Sequence, residues 1–398
     1  MKILVLNSGS SSVKYKLIDT TTEKALAEGG AEKIGLPDAF LKYRRNDGTK
    51  AIINLGLTDH KGAIEAILKL LADPVEGCLK SYDEIDAVGH RLVHGAEKFT
   101  KSVIIDEQVK EMVRECADLA PLHNPANLIG VDAIEALMPT IPQVGVFDTA
   151  FHQTMPPKAY MYALPYHFYA EDGVRRYGFH GTSHRYVSQR ACQFLGVDIE
   201  KQKIITCHIG NGGSITAVLN GKSIDTSMGL TPTEGLMMGT RVGDIDPGAL
   251  TYLMKKHNLS ADQLQHIINK ESGVAGVSGV SSDMREIDQA ISQGNQQAQL
   301  ALQMYEYRII KYIGAYAAAM SGVDIIVFTG GVGENQIGIR ANVCRPLQFM
   351  GVKLDPHRND TRGEEALISA DDSTVKVCVI PTDEELMIAR DTAALISK

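Results

Sequence analysis

Two stretches of the chain, about half its length apart, share one pattern: an apolar run, a turn of small residues and an alternating apolar run. The first reads ILVLNSGSSSVKYKL from Ile3, and the second reads IITCHIGNGGSITAVL from Ile204. Short apolar runs bounded by turn residues indicate buried strands, and apolar–polar alternation indicates a strand with one exposed face. The pattern predicts two related halves, each beginning with a strand–turn–strand unit.

The turns of these units, NSGSSS and GNGG, contain no large side chain. Gly and Asn tolerate positive φ, and small side chains leave backbone N–H groups open to an approaching anion. A plain surface turn explains the composition equally well, so both interpretations stay open at this point. A third glycine-rich turn, TGGVGEN at 329–335, follows the apolar run 325–328 and is predicted to lead into a helix.

Helical patterns lie between the predicted strands, at 58–74, 124–139 and 295–320. The second has Pro125 at its expected first helical position. Because strands and helices alternate along the chain, the pattern favours the α/β class.

The length of 398 residues favours more than one core. We expect one domain at 1–150 and another at 151–384. The last helix, 385–398, is expected to join the first domain. Thr382 and Glu385 have the spacing of a capping box at its start.

Composition restricts the partners and the compartment. A net charge of −8 without a clustered basic face disfavours nucleic acid. No apolar stretch is long enough to span a membrane, and the N-terminus lacks the apolar core of a secretory signal. Six scattered cysteines without a C-x-x-C pair indicate buried free thiols. We therefore expect a cytoplasmic protein with no nucleic-acid or membrane partner.

Two common nucleotide-binding motifs are absent, because this sequence does not have glycine at the positions that they require. The stretch LNGKS resembles the end of a P-loop, but the glycine required at position 216 is Thr216. Asn220 and Gly221 instead indicate a type I′ hairpin turn. The dinucleotide fingerprint fails because Ile215 and Gln336 stand where its third glycine belongs.

Two hairpins that face each other could hold a polyphosphate through backbone N–H groups, an arrangement that resembles the sugar kinase, Hsp70 and actin superfamily. Longer motifs narrow the resemblance to the acetokinase family. They are NSGSSSVKY, GHRLVHG, PLHNP, VFDTAFHQTMP, RRYGFHGTSH, HIGNGGS, GLTPTEGLMMGTRVGDIDPG, TGGVGEN and TDEE, and they extend over nearly the whole chain without a departure.

The resemblance implies a duplicated ribonuclease H-like (actin-like ATPase) fold with its active site in the interdomain cleft. It also implies a homodimer, formed through the second domain, that transfers phosphoryl reversibly and in line from ATP to acetate, giving acetyl phosphate and ADP. The implied cofactor is Mg²⁺, with Mn²⁺ as the alternative. Within the family, a propionate or butyrate kinase remains an alternative; outside it, a nucleotide-driven conformational module does.

The resemblance assigns catalytic roles to Arg91, Asp148, His180 and Arg241. Guanidinium groups pair with carboxylate and phosphate oxygens, although an isolated loop arginine is usually a solvated surface residue. His180 and His184 have a spacing that suits a metal, but the H-E-x-x-H pattern is missing. The implied substrate is a simple carboxylic acid, which is already ionised at neutral pH and needs no base to remove its proton. Asp148 is therefore better suited to orienting the nucleophile or a metal-bound water than to acting as a base.

The remaining implied roles concern binding. The substrate pocket would be formed by Arg91, Val93, Leu122, His123, Phe179 and Pro232. The ATP site would comprise Lys14, His208, Ile209, Gly210, Asn211, Gly212, Asp283, Met284, Arg285, Gly331, Val332, Gly333, Glu334 and Asn335. The metal would be held by Asn7 and Glu384. From spacing alone, Asp283 and Glu286 also indicate a capping box.

Overall fold

The computed structural model describes residues 1–120 and 123–397, without the side chain of residue 118. The chain divides into two compact units. The first comprises Met1–Phe151 together with Asp383–Lys398, and the second comprises His152–Thr382. Each unit contains one mixed sheet.

The strands are numbered in chain order. In the first unit they are β1 (Lys2–Ser8), β2 (Ser12–Asp19), β3 (Lys24–Glu32), β4 (Phe40–Arg45), β5 (Lys50–Asn54), β6 (Ala87–Leu92), β7 (Val103–Ile104) and β8 (Gln143–Phe147). In the second they are β9 (Lys203–Ile209), β10 (Gly213–Leu219), β11 (Lys222–Thr226), β12 (Ile325–Thr329), β13 (Ala366–Leu367) and β14 (Lys376–Val379).

The helices are numbered in the same way. Those up to residue 172 are α1 (His60–Leu71), α2 (Glu107–Glu115), α3 (Asn124–Leu137), α4 (Pro157–Tyr160) and α5 (His167–Asp172). The others are α6 (Gly181–Leu195), α7 (Pro247–His257), α8 (Ala261–His266), α9 (Gly273–Ser278), α10 (Met284–Ser292), α11 (Gln296–Ala319), α12 (Gly330–Asn335), α13 (Ile337–Cys344), α14 (Pro356–Asn359) and α15 (Glu384–Ile396).

The two sheets repeat one topology, so the prediction of two related halves is confirmed. The first sheet has the order β5-β4-β3-β2-β1-β6-β8-β7, and the second has the order β11-β10-β9-β12-β14-β13. The first sheet contains a five-stranded antiparallel meander, β1 to β5, and the second a three-stranded one, β9 to β11. In each sheet the first strand of the meander is followed by two parallel strands: β6 and β8 beside β1, β12 and β14 beside β9. The α/β prediction is likewise confirmed.

Both small-residue turns close hairpins, as predicted. Ser8 pairs with Val13 in the first hairpin, and Ile209 pairs with Gly213 in the second. Asn220 and Gly221 both have positive φ, at 52° and 77°, and join β10 to β11 as a type I′ turn would.

The core of the first unit forms where α1 and α3 pack against the sheet, and α15 packs on β1, β6 and β8. A glycine permits the close approach of α15. A Cβ atom at Gly89 would lie 2.6 Å from both Ile388 Cγ2 and Thr392 Oγ1. The glycine of GHRLVHG thus explains why the chain's last helix can lie directly on β6.

Three local predictions at helix starts need correction. Helix α15 is capped by Asp383, whose side chain accepts from Leu386 N, and Thr382 is not its cap. Asp383 stands one residue closer to the helix and reaches its third N–H. Pro125 occupies the second position of α3, because that helix begins at Asn124.

The third correction concerns α10. Asp283 caps this helix as predicted, but its side chain accepts from Arg285 N. In a capping box the acceptor would bond the N–H of Glu286. The Asp283 carboxylate also pairs with the Arg285 guanidinium, which draws it toward that residue.

A buried histidine on β6 makes the stability of the first unit dependent on pH. His90 contacts the Gln143 side chain through Nε2 at 2.7 Å, and burial lowers its pKa to about 4. The unfolded chain binds a proton near pH 6.5, so this stability is complete above that pH and is lost as the pH falls toward 4. We expect the free energy of unfolding to fall by about 2 kcal/mol from pH 7 to pH 5 through His90 alone.

Urea denaturation of the wild type and of His90→Gln at both pH values tests this prediction. The variant keeps a polar partner for Gln143 and has no imidazole to protonate. We expect its loss of stability on acidification to be smaller than that of the wild type by about 2 kcal/mol. An equal loss in both proteins would show that His90 does not set the pH dependence.

Candidate active site

The second hairpin turn lies beside the glycine-rich turn of α12. The turn is closed by Gly210 N donating to Gly212 O at 3.0 Å, and Gly239 N donates to Asn211 O at 2.9 Å. Gly330 has a φ of +76°, and a Cβ atom there would lie 2.8 Å from Ile209 O. Only glycine at this position lets α12 begin so close to the end of β9.

A cavity of about 470 Å³ opens between these turns and the start of α10. It is lined by Gly210, Asn211, Ser282, Asp283, Met284, Arg285, Gly331, Val332, Asn335 and Gln336. Eight of these ten residues are in the ATP site that the family resemblance implies. The sequence reasoning missed Ser282 and Gln336, which directly adjoin predicted residues, so extending the predicted segments by one residue would have found them.

Glu334, another predicted ATP residue, uses its carboxylate inside the protein. Its Oε1 accepts from Gly330 N at 2.9 Å and from Thr382 N at 3.2 Å. The carboxylate therefore stabilises the first turn of α12, where a negative charge is favourable.

His180, Arg241 and Gly212 converge in the second unit. A Cβ atom at Gly212 would lie 3.3 Å from Arg241 Nη1 and 3.9 Å from His180 Cε1. Arg241 Nη1 donates to Pro232 O at 3.1 Å, so a predicted catalytic residue and a predicted pocket residue are in direct contact. Burial lowers the pKa of Arg241, which nevertheless remains a cation at neutral pH.

His180 precedes α6 in the left-handed conformation, with φ 54° and ψ 22°. The helix begins at Gly181, so Thr182 and Ser183, which are good caps by residue type, lie inside its first turn. A non-glycine residue held in this region marks a local strain that is common at functional sites. The His180 ring stacks on that of His208, with centroids 4.2 Å apart, and Phe179 O contacts His152 Nε2 at 2.9 Å.

Arg91 and Asp148 form a bidentate pair in the first unit. Strands β6 and β8 place Arg91 beside Val146 in register, and Asp148 follows at the end of β8. Arg91 Nε and Nη2 donate to Asp148 Oδ1 and Oδ2 at 3.1 and 2.5 Å. Arg91 lies in β6 and not in a loop, and the nearby Gly89 permits the packing of α15.

Glu384 adds a second carboxylate near this pair. Its Oε2 lies 3.9 Å from Arg91 Nε. Burial and then the neighbouring Asp148 raise the pKa of Glu384 to about 7, although Arg91 acts in the opposite direction. The Asp148 carboxylate raises the pKa of Arg91 above its ordinary value. This corner of the first unit therefore holds one fixed cation between two acidic groups.

The first hairpin turn is braced by two residues that the sequence reasoning missed. His60 Nε2 contacts Gly9 O at 2.6 Å. Asn127 donates to Ser8 O at 2.7 Å and accepts from Val93 N at 3.0 Å, so one buried amide links the turn to the predicted substrate pocket. Nothing in the local sequence distinguishes either residue, because the contacts join positions far apart in the chain.

The predicted pocket residues are distributed over both units. Val93 is buried and directly follows Leu92, the last residue of β6. His123 is exposed at the start of α3. Phe179 and Pro232 belong to the second unit. Leu122 lies outside the described residues.

The predicted metal ligands offer oxygen atoms, which Mg²⁺ prefers. Asn7 lies near the end of β1, directly opposite Lys14 on β2, and Glu384 opens α15. Within the described ranges there is no group of three or more His, Cys, Asp or Glu suited to a metal. Mg²⁺ commonly takes one or two protein oxygens, with water and phosphate completing its shell, so this donor set fits the ion.

A metal bound between His180 and His184 is disfavoured. His184 contacts Ser214 Oγ through Nε2 at 2.7 Å and Thr206 Oγ1 through Nδ1 at 2.6 Å. Both of its ring nitrogens are therefore engaged by hydroxyl groups.

Over residues 1–120 and 123–397, the structure contains no helix long and apolar enough to cross a bilayer. The six cysteines are free thiols, as predicted; five of them are buried as expected, whereas Cys78 is half-buried.

Two sheets of matching topology, each with a small-residue turn after its first strand, define the duplicated actin-like ATPase fold. A model of the acetokinase family matches residues 2–390. The chain belongs to this family.

Comparison with individual proteins supports the same family membership. The chain is 64% identical, over the full length of both proteins, to the acetate kinase of Phocaeicola vulgatus. Its structure resembles the crystal structure of Porphyromonas gingivalis acetate kinase, with a TM-score of 0.96 and 60% identity over 99% of each chain. A propionate kinase from Francisella tularensis superposes with a TM-score of 0.92, at 42% identity over 99% of each chain.

Proposed function

We propose that the protein catalyses phosphoryl transfer from ATP to acetate, reversibly and in line, giving acetyl phosphate and ADP. The observation that carries this proposal is the 64% identity to an acetate kinase over the full length of both chains. The protein is accordingly a phosphotransferase with a carboxyl group as acceptor. Acetate is favoured over propionate as the substrate because the propionate kinase shares only 42% identity.

The two units are proposed to act as actin-like ATPase domains, with the nucleotide bound by the second. Its cavity of about 470 Å³ has the size of a small-molecule site and is bordered by two glycine-rich turns. The Asp283–Arg285 segment would hold the base and ribose. Backbone N–H groups of the turn Gly210–Gly212 would meet the phosphates, together with Lys14 of the first unit.

Charge on the moving phosphoryl group must be balanced during transfer, and little covalent chemistry is required of the protein. Arg241 and Arg91 are proposed to supply the positive charge, and His180 a hydrogen bond. The bidentate contact of Arg91 Nε and Nη2 with Asp148 supports this role, because it fixes the guanidinium and leaves Nη1 outside that contact to donate to acetate. Asp148 fixes the orientation of Arg91 and is not assigned the role of a base.

The family generally uses a divalent metal with ATP, and Mg²⁺ is proposed here, with Mn²⁺ as the alternative. Asn7 and Glu384 would hold it. When bound, the ion neutralises phosphate charge during transfer.

We further infer that the protein acts in the cytoplasm as a homodimer formed through the second unit. The family resemblance supports this inference. Light scattering at working concentration tests it, since a monomeric mass would contradict a homodimer.

The experiment that tests the function combines Mg-ATP with a series of short-chain acids and traps the acyl phosphate with hydroxylamine. Acetate is expected to give the highest kcat/KM, with propionate lower and butyrate lower still. The wild type without added acid is the blank. Rapid ATP turnover in that blank would favour a nucleotide-driven conformational module instead.

Chain-length preference is expected to depend on Val93. One methylene in an apolar pocket is worth about 1–3 kcal/mol, so propionate should be a poorer substrate rather than an inert one. Val93→Ala enlarges the pocket and should raise the propionate-to-acetate ratio of kcat/KM, with little change in KM for ATP. Steady-state kinetics with both acids measures this ratio.

Val88→Ala is the matched control, because Val88 is a fully buried valine of the same strand region with no proposed contact to substrate. Both variants should lower the melting temperature, while only Val93→Ala should change the ratio. An unchanged ratio in folded Val93→Ala would remove Val93 from the pocket.

A further inference from the structure

A continuous chain of hydrogen bonds connects the interior of the second unit to His180. His180 Nδ1 lies 2.9 Å from Ser214 Oγ, and the same hydroxyl lies 2.7 Å from His184 Nε2. His184 Nδ1 then lies 2.6 Å from Thr206 Oγ1. Ser214, His184 and Thr206 are all fully buried, so protein groups rather than bulk water set the direction of these bonds.

Ser214 forces its two imidazole partners into opposite roles. A hydroxyl has one proton and two lone pairs, and accepting from both rings would leave the proton of the buried Ser214 without an acceptor. It therefore donates to one ring nitrogen and accepts N–H from the other. If Ser214 donates to His180, then His184 donates through Nε2. If Ser214 donates to His184, then His180 must carry its proton on Nδ1.

Whether His184 Nε2 donates to Ser214 or accepts from it depends on the proton at the other ring nitrogen, Nδ1. Complete burial, followed by the nearby imidazoles of His152 and His208, holds the pKa of His184 well below its ordinary value. A neutral imidazole has one N–H, so His184 donates on one side and accepts on the other.

Thr206 fixes which side accepts. Within the described part of the chain, Thr206 Oγ1 has no hydrogen-bond partner other than His184. Accepting from His184 would leave the buried threonine proton without an acceptor, a cost that donation avoids. Thr206 therefore donates to His184 Nδ1, His184 donates to Ser214, and Ser214 donates to His180 Nδ1.

A second observation agrees with a neutral His180. Its ring stacks on that of His208 at 4.2 Å, and Arg241 lies on the same side of the turn at Gly212. His208 in turn contacts Ser183 Oγ through Nδ1 at 2.8 Å. Positive charge on either imidazole would repel the Arg241 guanidinium, so a neutral His180 is favoured.

We propose that Thr206, His184 and Ser214 are positioning residues that hold His180 as a neutral imidazole with its proton on Nε2. This inference rests on the proposed function and extends it. His180 is then a hydrogen-bond donor for the transferring phosphoryl group without being a cation. Protonating His180 on Nδ1 would require Ser214, His184 and Thr206 all to reverse their hydrogen bonds.

The neutral state of His180 determines the pH range over which it can donate. A donor that depended on imidazolium would be lost as the pH rises through about 6.5, the ordinary pKa of histidine. A neutral Nε2–H donor persists above that pH. The chain thus keeps the donor available over the whole neutral and mildly alkaline range.

Nitrogen-15 NMR of the histidine-labelled wild-type protein tests the proposal directly and does not depend on catalysis. The His180 signals are assigned by their disappearance in His180→Gln. From about pH 6 to pH 9 we expect protonated Nε2 and bare Nδ1. A proton on Nδ1, or a doubly protonated ring at neutral pH, would overturn the proposal. Because the spectrum needs no acid substrate, a failure of the proposed function would be seen separately, in the acyl-phosphate assay.

Ser214→Ala tests the coupling. Without the Ser214 hydroxyl, protonation of His180 no longer requires the chain to reverse, so the His180 pKa should rise toward its ordinary value. We expect kcat to fall by about tenfold or more. This loss is smaller than the roughly 10²–10³-fold loss in kcat that follows removal of a transition-state hydrogen-bond donor itself. KM for Mg-ATP should be nearly unchanged.

Ser188→Ala is the matched control, because Ser188 is a buried serine of α6 whose hydroxyl donates to Arg185 O. It should leave the His180 titration and kcat as in the wild type. If both variants lower the melting temperature equally and neither changes the His180 spectrum, the role of Ser214 is structural only and the proposal is wrong.

Discussion

Arg241→Ala should lower kcat at least a hundredfold. Loss of one preorganised donor to a transition state costs about 3 kcal/mol, which corresponds to about this factor. The substitution leaves no carboxylate unpaired, because the Arg241 guanidinium donates to Pro232 O and contacts Met238 Sδ. Stopped-flow or coupled assays with Mg-ATP and acetate measure the loss.

Arg190→Ala is the control for removal of an arginine from the second unit, because Arg190 pairs with Glu365 and has no proposed contact to ligand. It should retain nearly full turnover. Arg241→Lys should recover only part of the activity, since an ammonium group cannot reproduce the bidentate guanidinium. Near-native turnover in folded Arg241→Ala would contradict the proposed charge clamp.

Arg91→Ala is expected to lose at least as much activity, but part of the effect would be structural. Removing the guanidinium leaves the Asp148 carboxylate, which is only 1% exposed, without its partner. Breaking a buried pair from one side costs about 3–5 kcal/mol of stability. Arg91→Lys is the better test, because it keeps a positive charge beside Asp148 and removes only the paired N–H donors of the guanidinium group.

Arg340→Met should destabilise the second unit by about 3–5 kcal/mol, because several buried acceptors would lose their donor. Arg340 is fully buried and donates to five oxygens at 2.7 to 2.9 Å. They are Asn359 Oδ1 and the carbonyl oxygens of Gly333, Glu334, Asn359 and Thr361. Burial lowers the pKa of Arg340 to about 10, so the side chain is still charged at neutral pH.

The same variant should weaken nucleotide binding. Two of the carbonyl groups belong to the end of α12, so the guanidinium ties the glycine-rich turn to the last residue of α14 and to Thr361 beyond it. Calorimetry should show a melting temperature lower by on the order of 10 °C, and KM for ATP should rise. Arg345→Met, which removes an exposed arginine that donates to Asn342 Oδ1, should change neither.

The architecture was predictable because it depends on a pattern that repeats. The two strand–turn–strand units and the α/β class follow from apolar periodicity, which the topology of the two sheets confirms. Cap positions were less predictable. Asp383 and Thr382 are both good caps by type, and only the position of the helix on its sheet decides between them.

The site could be predicted only in part. Residues of the glycine-rich turns were recognisable because local conformation restricts them to small side chains. Asn127, His60 and Arg340 were not, because each acts through a contact with a residue distant in sequence. The direction of the Thr206–His184–Ser214 chain likewise depends on burial and on which hydroxyl has a second partner, and neither is visible in sequence.

Phosphoryl transfer between ATP and acetate is tested most sharply by running the reaction backwards. Acetyl phosphate and Mg-ADP are mixed with the protein and followed by phosphorus-31 NMR, with Arg241→Ala as the inactive comparison. We expect the acetyl phosphate signal to be replaced by the γ-phosphate signal of ATP, with acetate released in equal amount. Conversion of acetyl phosphate to inorganic phosphate without formation of ATP would contradict direct transfer.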